Sequence, residues 1–481
     1  HEPMFRETLR QAGLNKFLFE MANIRDHNSW VHQQEPAKAT RKALDLVRAA
    51  VAKAALLEAM HQTPMGLTKE AVVVGGGVAG LTAALALAEQ GYPVHLVEKS
   101  ETLGGNALSL NTTWRGEDVR SFTASLIKQA EANELIKVYK NSAIKKSSGF
   151  LGNFETVIAT PGKEETVKHG VGVVATGGRP VTPTEYLYGE HSRVVTALDM
   201  DKILRESPEK LKKAQSAVFI QCVGSREPQR PYCSKICCSH SVENAIKIKE
   251  INPETRIYIL YRDVRTYGFR EELYKKAREK GVIFIRFDLE NKPRVEGAGP
   301  DKVLVTVTDH VLRIPVQIEA DFLTLASGIE PNPAPEVAES FKVQQNAEGF
   351  FLEAHMKLRP VDFATDGMFL AGLAHYPKPL EETIAQARAA AARATTILAK
   401  DSILVGGIVA VVDPDKCAVC LTCVRTCPFG VPHIGEEGHA VIEPAICQGC
   451  GACVSECPGK AITLQHFTDE QILASAEALV G

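Results

Sequence analysis

Eight cysteines between residues 417 and 457 constrain this chain more than anything else in it. They read Cys417-x2-Cys420-x2-Cys423-x3-Cys427-Pro428, and then again Cys447-x2-Cys450-x2-Cys453-x3-Cys457-Pro458. Three thiolates at this spacing wrap a tight loop around one face of an iron–sulfur cubane. The fourth, followed by proline, leads away and ligates the other cluster. The pattern therefore predicts two [4Fe–4S] clusters. One would be held by Cys417, Cys420, Cys423 and Cys457, the other by Cys447, Cys450, Cys453 and Cys427. Gly449, Gly451 and Ala452 let the backbone come close and donate N–H groups to sulfur. A structural zinc ribbon would instead need two well-separated cysteine pairs around each metal.

The other four of the twelve cysteines are Cys222, Cys233, Cys237 and Cys238. A secreted disulfide framework is spread over a short, loop-rich chain, and neighbours such as Cys237 and Cys238 seldom bridge each other. Clustered thiols point instead to metal ligation in a reducing cytoplasm. By spacing alone these four fit a third [4Fe–4S] cluster, a zinc site or simply buried thiols. A formal charge of −3 argues against a nucleic-acid surface, which needs a clustered basic excess. No run reaches the roughly 18 apolar residues of a membrane span, and no secretory signal pattern is present. The opening from His1 is already helical and amphipathic, so the N-terminus is expected to be incomplete.

Length predicts several domains. Residues 3–12 and 36–60 read as helices, the second with Ala43, Leu46, Val47, Ala50, Val51 and Ala54 on one face. Residues 63–68 read as a linker. From Glu70 an α/β pattern begins, with buried-type strands at 71–74, 94–97, 172–175, 217–221, 256–261 and 322–325. An Ala-rich helix at 380–399 follows.

The run Ala71-Val-Val-Val-Gly75-Gly-Gly77-Val78-Ala79-Gly80 is a strand entering a G-x-G-x-x-G turn and then a helix, 81–90. The glycines allow the tight turn and close approach of a pyrophosphate to the helix N-terminus. The next strand ends in Glu98, where a carboxylate meets a ribose 2′-hydroxyl. To this point NAD and FAD fit equally. Glu98-Lys99 then leads to Leu103-Gly104-Gly105, which resembles the FAD-binding extension of glutathione-reductase-like flavoproteins. Val174-Ala175-Thr176-Gly177-Gly178 resembles the chain-crossing turn of that family. Gly367-Met-Phe-Leu-Ala-Gly372, followed by the helix carrying Thr383 and Ala385, resembles its ribityl strand and flavin-facing helix. Leu373 stands where the family usually has Asp. His375 and Lys378 are candidates either for touching the flavin or for capping the following helix. The second unit, which in such proteins binds NAD(P)H, has Cys222 where its first glycine would be, and its glycine spacing is lost.

Taken together, Phe19-Glu-Met-Ala-Asn-Ile-Arg25, Ser29-Trp-Val-His32, Gln221-Cys-Val-Gly-Ser-Arg226, Cys233-Ser-Lys-Ile-Cys-Cys238 and the ferredoxin-like tail resemble the A-type (HdrA-like) subunit of heterodisulfide reductase. The resemblance covers nearly the whole chain. It implies that Cys222, Cys233, Cys237 and Cys238 ligate an unusual [4Fe–4S] cluster beside FAD, and that this FAD can split an electron pair between two paths. Three departures stand out. The ferredoxin module that the family inserts after Leu-Gly-Gly is absent between Gly105 and Ala175. Asn28 replaces a cysteine common in relatives. Glu243 replaces a lysine near flavin N5, which bears on whether the flavin bifurcates, confurcates or simply relays electrons.

The expected architecture is α/β: a two-domain glutathione/thioredoxin-reductase-like FAD-binding fold, a C-terminal α+β bacterial-type two-cluster ferredoxin domain and a helical N-terminal segment. The segment would span 1–66, the FAD domain 67–213 and 324–402, the NAD(P)H-domain-like unit with the four-cysteine site 214–323, and the ferredoxin domain 403–481. The expected function is electron transfer by FAD and three [4Fe–4S] clusters within a heterodisulfide-reductase-like complex. Implied partners are B- and C-like subunits, a hydrogenase-, formate-dehydrogenase- or other oxidoreductase-linked module, and ferredoxin, with the chain as a dimer. Two other readings remain open: a stand-alone NAD(P)H-dependent flavin oxidoreductase, and a scaffold whose flavin is structural.

Overall fold

The computed structural model describes residues 2–311 and 313–480. They divide into two compact units, one spanning Leu67–Lys400 and the other joining the residues up to Gly66 with those from Asp401 onward.

The larger unit is built on two five-stranded parallel sheets. The first has the order Met368–Leu370, Val171–Val174, Ala71–Val74, Val94–Val97, Ile136–Tyr139. Every residue of Ala71–Val74 and Val171–Val174 is buried. Unbroken apolar runs of this kind are what a parallel sheet covered on both faces requires. Helix Val78–Ala88 packs against helix Leu380–Leu398, whose Ala387, Ala390, Ala391 and Ala394 are fully buried in the same cluster as Ala83, Ala84 and Leu87. Small side chains at that spacing let the two helices approach closely. The second sheet runs Val194–Thr196, Phe322–Ser327, Ser216–Val223, Arg256–Tyr261, Ile283–Arg286, with a register shift between Ile220 and Val223.

Two three-stranded antiparallel sheets, Ala143–Phe150 with Asn153–Thr160 and Lys163–His169, and Arg294–Gly297 with Val303–Thr308 and Pro315–Ala320, have no counterpart in the sequence reading. Their strands bury one face only, so in Lys163–His169 and Pro315–Ala320 charged and polar residues interrupt the apolar ones, whereas Val303–Thr308 carries no charge.

In the smaller unit, helix Pro36–Ala54 packs on helix Asp469–Val480. Lys53 on the first helix is buried, paired with Glu20 at 2.8 Å and set over the ring of Phe467 at 4.0 Å. Three sequence expectations need correction. The helix placed at 36–60 ends at Ala54. The helix placed at 81–90 is Val78–Ala88, because Gly80 sits inside it as a close-contact residue. The linker placed at 63–68 is largely strand Gln62–Gly66, paired antiparallel with Ser402–Gly406. Pro64 is tolerated there because a two-stranded ribbon leaves an unpaired edge on each strand. Among the described residues no helix is long and apolar enough to cross a membrane.

Candidate flavin and iron–sulfur sites

The strand Ala71–Val74 delivers the chain to Gly75, whose φ of +111° favours glycine and where a Cβ would lie 2.2 Å from the Ala175 carbonyl oxygen. A Cβ on Gly80 would lie 1.8 Å from the Gly75 carbonyl oxygen. The turn closes only because both side chains are missing. Gly77 then caps helix Val78–Ala88 with no side-chain hydrogen bond, which leaves the first-turn N–H groups open toward an anion. Glu98 is fixed by N–H donors from Gly76 (2.6 Å) and Ser100 (2.8 Å).

These groups border a cavity of about 670 Å³. Its wall includes Gly75, Gly77, Val78, Ala79, Glu98 and Lys99, then Gly104, Gly105, Ala175, Thr176, Gly177, Leu373 and Thr383. Gly80, Gly372 and Ala385 stand off the wall. Gly80 packs against Gly75, and Gly372 donates its N–H to Gln386 Oε1 at 3.0 Å. Ala385 is exposed, because two residues along a helix turn it roughly 200° from Thr383. Thr176, Ser239 and Ser327 each bury a hydroxyl on this wall with no protein partner. Buried polar groups of that kind call for a ligand or water. A cavity of this size, bordered by a phosphate turn and by unpartnered hydroxyls, fits FAD.

Farther along, the wall is formed by Glu243, Cys237, His240, Arg270 and Lys378. Glu243 does not face solvent. Its side chain is 13 % exposed, accepts from the Thr112 hydroxyl and pairs with Lys247 at 3.0 Å, while Lys247 also donates to Thr112 Oγ1 at 2.5 Å. Lys378 donates to the carbonyls of Gly372 (2.6 Å) and Tyr376 (2.8 Å), so it does not cap the helix that follows. Burial, with Lys235 nearby, brings its ammonium down to about 7. His375 is turned from the wall to Glu353 Oε2 and Gln386 Nε2, both at 2.8 Å. Asp201, 2.9 Å from His240, went unnoticed in the sequence, as did Thr112 and Lys247. His240, Glu243 and Lys247 share one helical face by spacing, which was the available signal.

The cysteines of the tail meet in two small cavities. One is bordered by Cys417, Cys420, Cys423 and Cys457, the other by Cys427, Cys447, Cys450 and Cys453. Burial raises Cys453 to about 11, helped by its neighbours Cys447, Cys427 and Cys450. Backbone N–H groups of Ala440 and Ala461 point at Cys417 Sγ (3.4 Å) and Cys457 Sγ (3.3 Å). In the larger unit, burial pushes the Cys237 thiol well up, and Cys238, Cys222 and Cys233 add to the shift, so all three lie within electrostatic reach of it. All twelve cysteines are free thiols. Thiolates gathered this closely repel each other, and a cationic metal core relieves that repulsion. Among the described residues no three His, Cys, Asp or Glu side chains close around a single ion. A cubane spreads its cysteines wider than one zinc does, since each iron takes one thiolate.

Residues 69–220 match the family model described as pyridine nucleotide-disulphide oxidoreductase, and residues 410–458 match that of a 4Fe-4S dicluster domain. The chain is similar to the A-type subunit of the H(2):CoB-CoM heterodisulfide,ferredoxin reductase of Methanothermobacter marburgensis, 36 % identical over 100 % of this chain and 87 % of that one. It is also similar to the A-type subunit of the ferredoxin/F(420)H(2)-dependent CoB-CoM heterodisulfide reductase of Methanosarcina acetivorans, 32 % identical over 89 % of this chain and 66 % of that one. Among solved structures, thioredoxin reductase of Lactococcus lactis matches 69 % of this chain and 99 % of its own, at 15 % identity and a TM-score of 0.49. With a relative of this similarity along its full length, and with an FAD-binding domain and a two-cluster ferredoxin-type domain, the chain belongs to the HdrA family, the flavin and iron–sulfur oxidoreductase subunits of heterodisulfide reductases.

Proposed function

We propose that this subunit relays electrons between partner proteins through FAD, a third [4Fe–4S] cluster at Cys222, Cys233, Cys237 and Cys238, and the two tail clusters. The observation that carries this reading is that Cys237 borders the same cavity as Gly75 and Glu98, so the four-cysteine site and the nucleotide turn share one wall. When bound, FAD exchanges electrons in pairs or singly, whereas each cubane carries one at a time.

The chain's own groups divide the task. Open N–H groups at Gly77–Ala79 hold the pyrophosphate, and Glu98 takes the ribose hydroxyls. Thr176, Ser239 and Ser327 offer hydroxyls along the remaining length. Glu243, tied to Lys247 and Thr112, sets the charge at the far end. Because the lysine implied by the family resemblance is replaced there, confurcating or simple transfer is as consistent with this wall as bifurcation.

The relatives named above couple the same kind of subunit to H(2), ferredoxin or F(420)H(2). Donor choice then lies with partner subunits, here of B and C type with a hydrogenase-, formate-dehydrogenase- or other oxidoreductase-linked module, in the cytoplasm. A stand-alone NAD(P)H reductase is disfavoured by the turn after Ser216–Val223, where Cys222 interrupts the glycine spacing.

Anaerobic photoreduction tests the proposal. Electrons entering at flavin should bleach the cluster absorption on the same chain, and NADH alone should bleach nothing. Flavin reduction that leaves every cluster oxidised would return the scaffold reading. Rapid bleaching by NADH would favour the stand-alone reductase.

A further inference from the structure

The loop after strand Ser216–Val223 is wound unusually tightly. Cys222, Gly224 and Arg226 all take positive φ, at 61°, 65° and 59°, and two of the three carry side chains. Such a conformation persists only where neighbours over-determine it. Here the Arg262 guanidinium donates to the carbonyls of Arg226 (2.8 Å) and Ser225 (2.5 Å), and the Ser225 hydroxyl and Arg226 N–H both donate to the Tyr232 carbonyl, at 2.9 and 3.0 Å.

The winding brings the Arg226 side chain back over the start of its own loop. Its Nη1 lies 3.9 Å from Cys222 Sγ, and its Nη2 lies 2.6 Å from Asp263 Oδ2. The Asp263 carbonyl in turn accepts from Cys238 Sγ at 3.7 Å. The two residues thus reach two of the four cysteines, Cys222 through the Arg226 guanidinium and Cys238 through the Asp263 backbone carbonyl. The two charges are not equally screened, for the Arg226 side chain is 21 % exposed and that of Asp263 is 46 %. Arg265 draws further on the same carboxylate, at 3.8 Å. Of the two charges the guanidinium is the better shielded from solvent, and it is the one in contact with Cys222.

We propose that Arg226 is a positioning residue that sets the reduction potential of the four-cysteine site, with Asp263 as its counterweight. The inference rests on the reading that these cysteines hold a cluster. One-electron reduction adds a negative charge to a cubane. A cation and an N–H donor at a ligating sulfur stabilise that reduced form and move the potential upward. Removing the carboxylate frees the guanidinium and moves it further in the same direction. The two members of the pair therefore act with opposite sign, which a merely structural contact would not do.

The experiment is a potentiometric titration followed by electron paramagnetic resonance, on the full chain purified anaerobically, with iron counted in every sample. Arg226→Gln should shift the midpoint of the four-cysteine cluster to more negative potential, and Arg226→Lys should do so less. Asp263→Asn should shift it to more positive potential. The tail-cluster signals should not move, and iron should stay at about 12 per chain. Shifts of equal sign, or none, at full iron would overturn the role of Arg226. A wild-type chain with only about 8 iron and two cluster signals would overturn the underlying cluster reading, and with it this inference. If Arg226→Gln alone loses iron, Arg226→Lys and Asp263→Asn decide the sign.

Discussion

Cys457 and Cys417 border one small cavity although they belong to opposite runs of the cysteine repeat. Cys427 correspondingly joins Cys447, Cys450 and Cys453. Each cavity is therefore lined from both halves, and in the crossed assignment losing the fourth cysteine of one run should damage the cluster of the other. Cys457→Ser should abolish the same paramagnetic signal as Cys417→Ser, and a different one from Cys447→Ser. Matching spectra for Cys457→Ser and Cys447→Ser would contradict the crossed assignment.

Flavin retention depends on a turn that has no room for side chains. At Gly75 an added Cβ would meet the Ala175 carbonyl oxygen at 2.2 Å and force a positive φ on alanine. Strain of about 1–3 kcal/mol is the minimum cost, which corresponds to roughly a five- to hundredfold loss of affinity. Gly75→Ala should copurify with little flavin while keeping the iron of the tail, whose cysteines lie in the other compact unit. A flavin-to-protein ratio equal to wild type would show that the turn does not hold the cofactor.

Glu243 and Lys247 form a pair, mostly shielded from solvent, at the cavity wall. Taking away the carboxylate leaves the ammonium uncompensated, which favours electron-rich flavin. In Glu243→Gln the flavin midpoint should become more positive in an anaerobic redox titration. No shift, or a negative one, would mean that Glu243 lies out of electrostatic reach of the ring.

His169 gives the larger unit an acid-sensitive element. It is fully buried, with Nε2 2.7 Å from Thr156 Oγ1 and Nδ1 2.8 Å from the Val171 carbonyl oxygen. Burial holds its imidazole down at about 4, against a usual 6.5. Between those values the unfolded chain binds a proton that the folded chain refuses. Stability is thus full above pH 6.5 and falls as pH drops toward 4, by up to about 1.4 kcal/mol per pH unit. His169→Gln should flatten that part of the profile in urea denaturation compared at neutral and mildly acid pH. An unchanged slope would assign the acid sensitivity elsewhere.

What could be read from the sequence follows from which interactions are local. Strands Ala71–Val74, Val94–Val97 and Arg256–Tyr261 were legible because strands of a covered parallel sheet are near-continuous apolar runs. The crossed cysteine sets were legible because their spacing is fixed by the metal rather than by the fold. The antiparallel strands at 143–169 and 294–320 were not: most have one wet face and resemble a polar loop, although Val303–Thr308 is Val, Leu and Thr throughout. Nor were the pairings of Arg226 with Asp263, Thr112 with Glu243 or Asp201 with His240. Each joins residues far apart in the chain, and only the sheet order brings them together. Ala385, which the resemblance set beside Thr383 on the flavin-facing helix, is exposed, because two residues along a helix turn a side chain by roughly 200°.

Anaerobic counting of iron and flavin, on wild type and Cys237→Ser, bears most directly on the claim that flavin and three cubanes share this chain. The expected wild-type content is about 12 iron and one FAD, and Cys237→Ser should keep about 8 iron with both tail signals intact. Wild-type protein that is colourless, with no paramagnetic signal after dithionite, would contradict the account.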